Sequence, residues 1–286
     1  MSGFITRAAP PAFGSHDEIG VTRAEGPCQG AVVPEDLFGE DVAARYDESS
    51  AEMFDPAVVG PAVDFLADLA GDGAALELGI GTGRIALPLH LRGIPVHGID
   101  LSEAMVAKLR EKPDADHIGV TIGDFATTKV GGTFSLAYLV FNTINNLTTQ
   151  DEQVACFQNA AAHLGPGGRF VIEVGVPALQ RLAPGERFHP FTVTATRLGF
   201  DEYDVVSQGL ISHHFWEVDG RWERLSMPFR YVWPGELDLM ARLAGMTLRE
   251  RWSDWSRTPF TAESAKHVSV WQKTPSDQPP SAVASG

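Results

Sequence analysis

The stretch LELGIGTGR, residues 76–84, packs Gly79, Gly81 and Gly83 directly behind an apolar run. Apolar residues leading into closely spaced glycines predict a buried strand that reverses sharply, because only glycine adopts positive φ freely or lets a ligand approach the backbone. Such a chain is committed to a strand–turn–helix unit with something seated against the turn. A tight turn that binds nothing is the bland alternative. The dinucleotide fingerprint G-x-G-x-x-G is the first candidate, but counted from Gly79 its third glycine falls at Arg84.

The chain around this turn alternates strand-like and helix-like segments. Residues 75–78, 96–99, 119–122, 134–141 and 169–174 read as strands. Segments 84–91, 102–111 and 150–164 read as helices between them, so the rhythm is that of βαβ units and a parallel sheet. Gly165 is a helix stop and Gly167-Gly168 a strand opening. From 191 to 233 the helices vanish and β-branched and aromatic segments follow one another, which predicts an antiparallel insertion. A helix at 234–245 and strands at 247–253 and 267–272 close the pattern. No internal repeat is visible.

In an open α/β sheet, ligands bind beyond the carboxyl ends of the strands, so the glycine turn, Asp100 and Asp124 should converge there. Asp100 follows VHGI about 20 residues beyond Gly79, a spacing that suits a carboxylate accepting from both ribose hydroxyls. Its alternative role is an N-terminal helix cap. Asp124, in IGDF, can accept from an adenine amino group while Phe125 packs on the ring; otherwise the two are a turn acid and a core aromatic. Met105, one helical turn beyond Leu101, packs on adenine or in the core.

These residues resemble the class I S-adenosylmethionine-dependent methyltransferases. Glu77-Leu78-Gly79-Ile80-Gly81-Thr82-Gly83 matches the family's E/D-x-G-x-G-x-G turn. Asp100 matches the acid ending the second strand, Asp124-Phe125 the third, and LGPGGRFVIEV (164–174) the entry to the fifth. The resemblance spans residues 46–174 and reappears in the closing elements at 234–272. It implies a Rossmann-like, doubly wound α/β fold with a mostly parallel seven-stranded sheet and an antiparallel β insertion after the fifth strand. S-adenosyl-L-methionine is the implied cofactor and methyl transfer to an O or N atom the implied reaction. A sulfonium cofactor carries no phosphates, so the turn need offer only close backbone approach. The resemblance also implies that Glu77 acts near the cofactor's ammonium, that Tyr46 lies over its carboxylate, and that Phe141-Asn142 contacts cofactor and acceptor. Their plain alternatives are a loop-pinning acid, a helix-surface tyrosine and a loop cap. A nicotinamide-dependent oxidoreductase and a non-catalytic cofactor-binding protein are the competing readings.

The acceptor side carries less signal. Asp219-Gly220 predicts a two-residue hairpin that pairs Val218 with Arg221. That register sets His214 opposite Leu225, Ser212 opposite Met227 and Leu210 opposite Phe229, so His214 and Trp216 share the more apolar face, while adjacent His213 falls on the mixed one. His214 is therefore the candidate catalytic base, with Tyr231 behind it and a structural histidine as the alternative. The insertion's bulk suits a cover over a small-molecule acceptor.

Charge narrows the partners. Lys and Arg number 22 against 37 Asp and Glu, a net charge of −15 that opposes nucleic-acid phosphates and anionic lipid. Cys28 and Cys156 are too few for a disulfide framework or a zinc site, no metal site is expected, and no run approaches a membrane span or signal peptide. These features predict a cytoplasmic protein, with a homodimer left open. Residues 1–40 and 274–286 read as a flexible start and a disordered tail around a domain at 41–273.

Overall fold

The computed structural model describes residues 38–274. The flexible start and the tail expected from the sequence lie almost wholly outside the described residues. Within the described part of that start, the Phe38 carbonyl accepts from Ser102 Oγ at 2.7 Å, and Glu40 already opens a helix.

That helix is α1 (Glu40–Ser49), followed by α2 (Pro56–Ala70). Asp55 caps α2 by accepting from Ala57 N at 2.8 Å, and Pro56 fits the first turn, where no N–H is needed. The alternation then runs β1 (Ala75–Leu78), α3 (Ala86–Leu91), β2 (Val96–Asp100), α4 (Glu103–Arg110), β3 (Gly119–Ile122), β4 (Phe134–Leu139), α5 (Gln150–His163) and β5 (Leu164–Gly175). After the insertion come α6 (Pro234–Leu243) and strands Met246–Trp252 and Lys266–Lys273, numbered β10 and β11 below. The sheet order is β10-β11-β5-β4-β1-β2-β3, parallel except where β11 pairs antiparallel with β5 and β10 with β11. This is the predicted seven-stranded sheet.

Both faces of the sheet are covered, which is why its strands read as near-continuous apolar runs. Ala75, Leu136, Tyr138, Val171 and Val270 face a core built with α2, α3 and α4. Their neighbours Leu76, Leu78, Ala137, Leu139, Phe170 and Trp271 face a second core with α5 and α6, where Phe157, Phe170 and Trp271 pack ring on ring. A Thr149–Glu152 capping box starts α5.

Several boundaries differ from the expectation, among them the insertion, whose strands run from Phe188 to Arg230 rather than over 191–233, and two differ for a visible reason. β4 stops at Leu139 rather than at 141, because Phe141 (φ 55°) and Asn142 (φ 62°) both leave the strand in left-handed conformations. β5 begins at Leu164, which pairs with Phe134 across a register shift before the long ladder from Arg169.

The insertion is a separate four-stranded antiparallel sheet of β6 (Phe188–Val193), β7 (Arg197–Asp204), β8 (Gly209–Val218) and β9 (Arg221–Arg230), in sequential order. Val218 pairs with Arg221 across Asp219 (φ 51°) and Gly220 (φ 74°), the left-handed pair that a tight type I′ hairpin requires. His214 opposes Leu225 and Ser212 opposes Met227, the register expected from that turn. Ser212 and Met227 are buried while Arg224, Ser226 and Pro228 are exposed, so His214 lies on the inner face.

Candidate active site

Strand β1 lies between β2 and β4, where the strand order reverses, so the crevice beyond its carboxyl end is the place where α/β sheets take ligands. The glycine turn fills that position. Gly79 N and Ile80 N both donate to the Ile99 carbonyl, at 2.8 and 3.1 Å, and bind the turn to β2. Gly79, Gly81 and Gly83 have φ of +78°, +52° and +78°. A Cβ on Gly83 would come within 2.3 Å of Leu109 Cδ1 and one on Gly79 within 2.6 Å of Thr143 Cγ2, so conformation and space both demand glycine.

Asp100 ends β2 and aims its carboxylate back at the turn. Oδ2 accepts from Gly81 N at 2.6 Å and Oδ1 from Ser102 N at 2.9 Å. The helix cap on α4 is Ser102, whose Oγ accepts from Met105 N. The cap of α4 is thus Ser102 rather than Asp100. Leu101 is half-buried and Met105 is buried, with its ε-methyl 3.4 Å from where a Gly81 Cβ would stand. Asp124 accepts from Ala126 N and Thr127 Oγ1 in a turn after β3, which leaves lone pairs over. Phe125 is buried in the core beside Gly79, so its ring works as packing there.

Glu77, on β1 just before the turn, is 2% exposed and accepts from the buried Tyr138 hydroxyl at 3.0 Å. Burial pushes its carboxyl up to about 8, against the smaller opposing effects of the Tyr138 hydrogen bond and Arg84. Tyr46 on α1 has its phenol raised by burial, with Arg84 and Asp100 near enough to act on it. The segment after β4 is tied to β5: Phe141 N donates to Glu173 Oε2 at 3.2 Å, and Asn142 Oδ1 accepts from Gly175 N at 2.7 Å. The exposed Phe141 ring meets the Arg84 guanidinium at 5.3 Å. Tyr46, Glu77, Arg84 and Phe141 thus gather at one end of the sheet with the glycines and Asp100.

Sequence reasoning missed the latch that holds α1 on the turn. Asp47 accepts from Thr82 Oγ1 at 2.6 Å and pairs with Lys112 Nζ at 2.6 Å, and Lys112 also donates to the Thr82 carbonyl at 2.8 Å. The usable signal was an acid directly after Tyr46 and a hydroxyl residue inside the turn.

It also missed the knot joining the second sheet to the first. Arg230, 4% exposed at the end of β9, bonds Gln153 on α5, Gln208 before β8 and Glu236 on α6, the last at 2.7 Å. Gln153 in turn donates to the carbonyls of Ile144, Leu147 and Arg230. The inner face of the antiparallel sheet is thereby fixed beside the segment that follows Asn142. On that face His214 has Ser212 Oγ 3.2 Å from Nε2 and the Phe191 ring 5.3 Å away, and burial is the main cause of its lowered pKa.

The residues at the turn fit a cationic, phosphate-free nucleoside. Gly81 N is engaged by a carboxylate 2.6 Å away, and a pyrophosphate there would face that charge at close range. Carboxylates at the ends of β2 and β3 instead offer acceptors for hydroxyl and amino groups.

A family model described as a methyltransferase domain matches residues 75–168. The structure of the CcbJ methyltransferase from Streptomyces caelestis superposes with a TM-score of 0.74 at 38% identity, covering 83% of this chain and 98% of that one. The chain belongs to the class I S-adenosylmethionine-dependent methyltransferases. The methyltransferase uses S-adenosylmethionine as cofactor, and the oxidoreductase and non-catalytic alternatives fall away. It is 26% identical over 247 residues to a cypemycin N-terminal methyltransferase from Streptomyces sp, spanning 80% of this chain and 97% of the relative. It is also 31% identical, over 46% of its length and 54% of the relative, to a dTDP-3-amino-3,6-dideoxy-alpha-D-glucopyranose N,N-dimethyltransferase from Streptomyces fradiae. Among the described residues of the methyltransferase, no helix is long and apolar enough to cross a membrane.

Proposed function

We propose that this methyltransferase transfers its methyl group to an amine nitrogen of a small natural-product acceptor, held between the glycine turn and the inner face of the antiparallel sheet. The observation that supports the reading is the knot at Arg230, which ties the end of β9 to α5, to α6 and, through Gln153, to the segment after Asn142. The relatives support the choice of nitrogen: one is named for an N-terminal amine and another for an amino sugar.

Within this reading Asp100 accepts from the ribose hydroxyls and Asp124 from the adenine amino group. Leu101 and Met105 pack the nucleoside, Phe125 supports the turn from the core, and Gly79, Gly81 and Gly83 provide close approach. Tyr46, Glu77, Phe141 and Asn142 frame the methionyl end. Methyl transfer is an in-line displacement, so alignment in a dry pocket supplies most of the catalysis. An ammonium must first lose a proton, and His214, whose burial favours the neutral imidazole, is placed to take it. The acidic balance argues against a nucleic-acid partner, and the cysteine usage suits the cytoplasm.

The test is product mass and fragmentation after incubation with labelled cofactor and matched panels of amino and hydroxy acceptors. Methylated nitrogen is the expected result; label found only on oxygen would overturn it.

A further inference from the structure

The inner face of the antiparallel sheet carries a polar cluster that the hairpin register alone does not reveal. Asp201 on β7 is the direct partner of Ser212 on β8, and Gly199 that of His214. Ser212, 7% exposed, faces Asp201 as its cross-strand partner and lies 3.2 Å from His214 Nε2. Gly199 has no side chain, and the Phe191 ring of β6 lies over it, 5.3 Å from the His214 ring.

The hydrogen-bond inventory fixes the chemistry. A serine hydroxyl has one proton, and an ionised carboxylate across the strand can only accept, so the pairing directs the Ser212 proton toward Asp201. His214 Nε2–H must then donate to Ser212 Oγ, which leaves the Nδ1 lone pair of the neutral ring available for a proton.

The same face leads back to the reaction centre. Two residues further along β7, about 7 Å at the usual rise per residue, the Tyr203 ring meets Tyr231 at 5.6 Å, and Ala178, just beyond the end of β5, lies near enough to act on its phenol. The row Tyr203–Asp201 therefore starts at the carboxyl edge of the parallel sheet and runs outward from it.

We propose that Asp201, Ser212 and His214 form the subsite for the acceptor's amino group, with Asp201 accepting an N–H of the ammonium and His214 Nδ1 receiving its proton. This rests on the amine reading above. The step balances: one N–H bond of the ammonium breaks and its proton passes to the imidazole. The freed nitrogen pair forms the bond to the methyl carbon while the sulfur keeps the pair of the breaking S–C bond. The imidazolium then returns its proton to solvent. Arg197 on β7, His213 on β8 and His189 on β6 are the other titratable groups acting on this cluster. Burial raises the Asp201 carboxyl, and an arriving cation would favour its ionised form.

The deciding experiment follows the His214 imidazole signals of the full chain by NMR, with S-adenosylhomocysteine present, during titration with methylammonium chloride and, as a neutral control, methanol. Methylammonium should shift the signals in the parent but not in Asp201→Asn, and methanol should shift neither. No shift in the parent, or equal shifts in parent and variant, would overturn the proposal whether or not an acceptor is known. With an amine acceptor from the panel above, Asp201→Asn should lower kcat/KM about 10- to 100-fold, as for loss of a charge-assisted hydrogen bond, with cofactor affinity and melting temperature retained. Ser212→Ala should lower kcat while leaving KM nearly unchanged. A parent that methylates only oxygen would defeat the amine reading, whereas unchanged amine turnover in Asp201→Asn would defeat the subsite alone.

Discussion

The turn after β1 and the inner face of β7–β9 both present polar groups, yet they are held in opposite ways. At the turn, backbone does the holding: Gly79 and Ile80 donate to Ile99, and Gly81 donates to Asp100. The geometry is set by main-chain bonds and positive-φ glycines, and few side chains can alter it. On the inner face, side chains line the surface, and one polar knot at Arg230 sets its placement against the sheet. The difference teaches that a site for an invariant cofactor can be built from backbone. A site for a changeable acceptor is better carried on a sheet whose lining residues alternate freely. Substitutions on one side should leave the other intact.

The sharpest test of that separation is His214→Ala. Turnover should fall about 10²- to 10⁴-fold while cofactor affinity, measured by titration calorimetry, stays at the parent value. Equal losses in both would show that the two regions are not independent. Lowered stability with activity in proportion to folded protein would return His214 to a structural role.

Arg230→Met is next in size. It leaves Glu236, the buried Gln153 and the half-buried Gln208 without their guanidinium partner, and loss of one member of a buried pair costs about 3 to 5 kcal/mol. Denaturant unfolding should report that loss, and at temperatures where the variant is folded kcat should drop more than cofactor affinity. An unchanged midpoint would mean the knot does not join the sheets energetically.

Asp100→Ala attacks the other region. It removes the acceptor for Gly81 N and Ser102 N along with the proposed ribose partner, so cofactor binding should weaken by about 1 to 3 kcal/mol. Acceptor KM should hold. Full affinity in the variant would assign the carboxylate to the turn alone.

The smallest effect is a pH slope. Folded Glu77 has its carboxyl raised from an ordinary 4.5 to about 8, so between those values the native state binds more protons than the unfolded chain. Stability must then fall as pH rises through that window, by up to about 1.4 kcal/mol per pH unit. Melting temperatures from pH 5 to 8 should show the decline in the parent and a flatter profile in Glu77→Gln. A parallel profile would mean the Glu77–Tyr138 pair does not hold its proton.

Much of the molecule was determined by sequence alone, where the governing rule is local. The strand–glycine–helix rhythm sets the parallel sheet because a buried strand must be apolar on both faces and glycine alone takes the turn. The register that carries His214 inward follows from Asp219-Gly220, since a two-residue turn leaves a hairpin one way to pair. Tertiary structure decided the rest, because polar side chains choose partners only after distant segments meet. Gln153 and Arg230 are 77 residues apart, Glu77 and Tyr138 61, and Thr82 and Asp47 35. Phe125 illustrates the limit: its motif fixes the position at the end of β3, but only packing against Gly79 and α5 decides that its ring is core. Asp201 illustrates it again, an unremarkable acid in a strand-like run until the β7–β8 pairing sets it opposite Ser212.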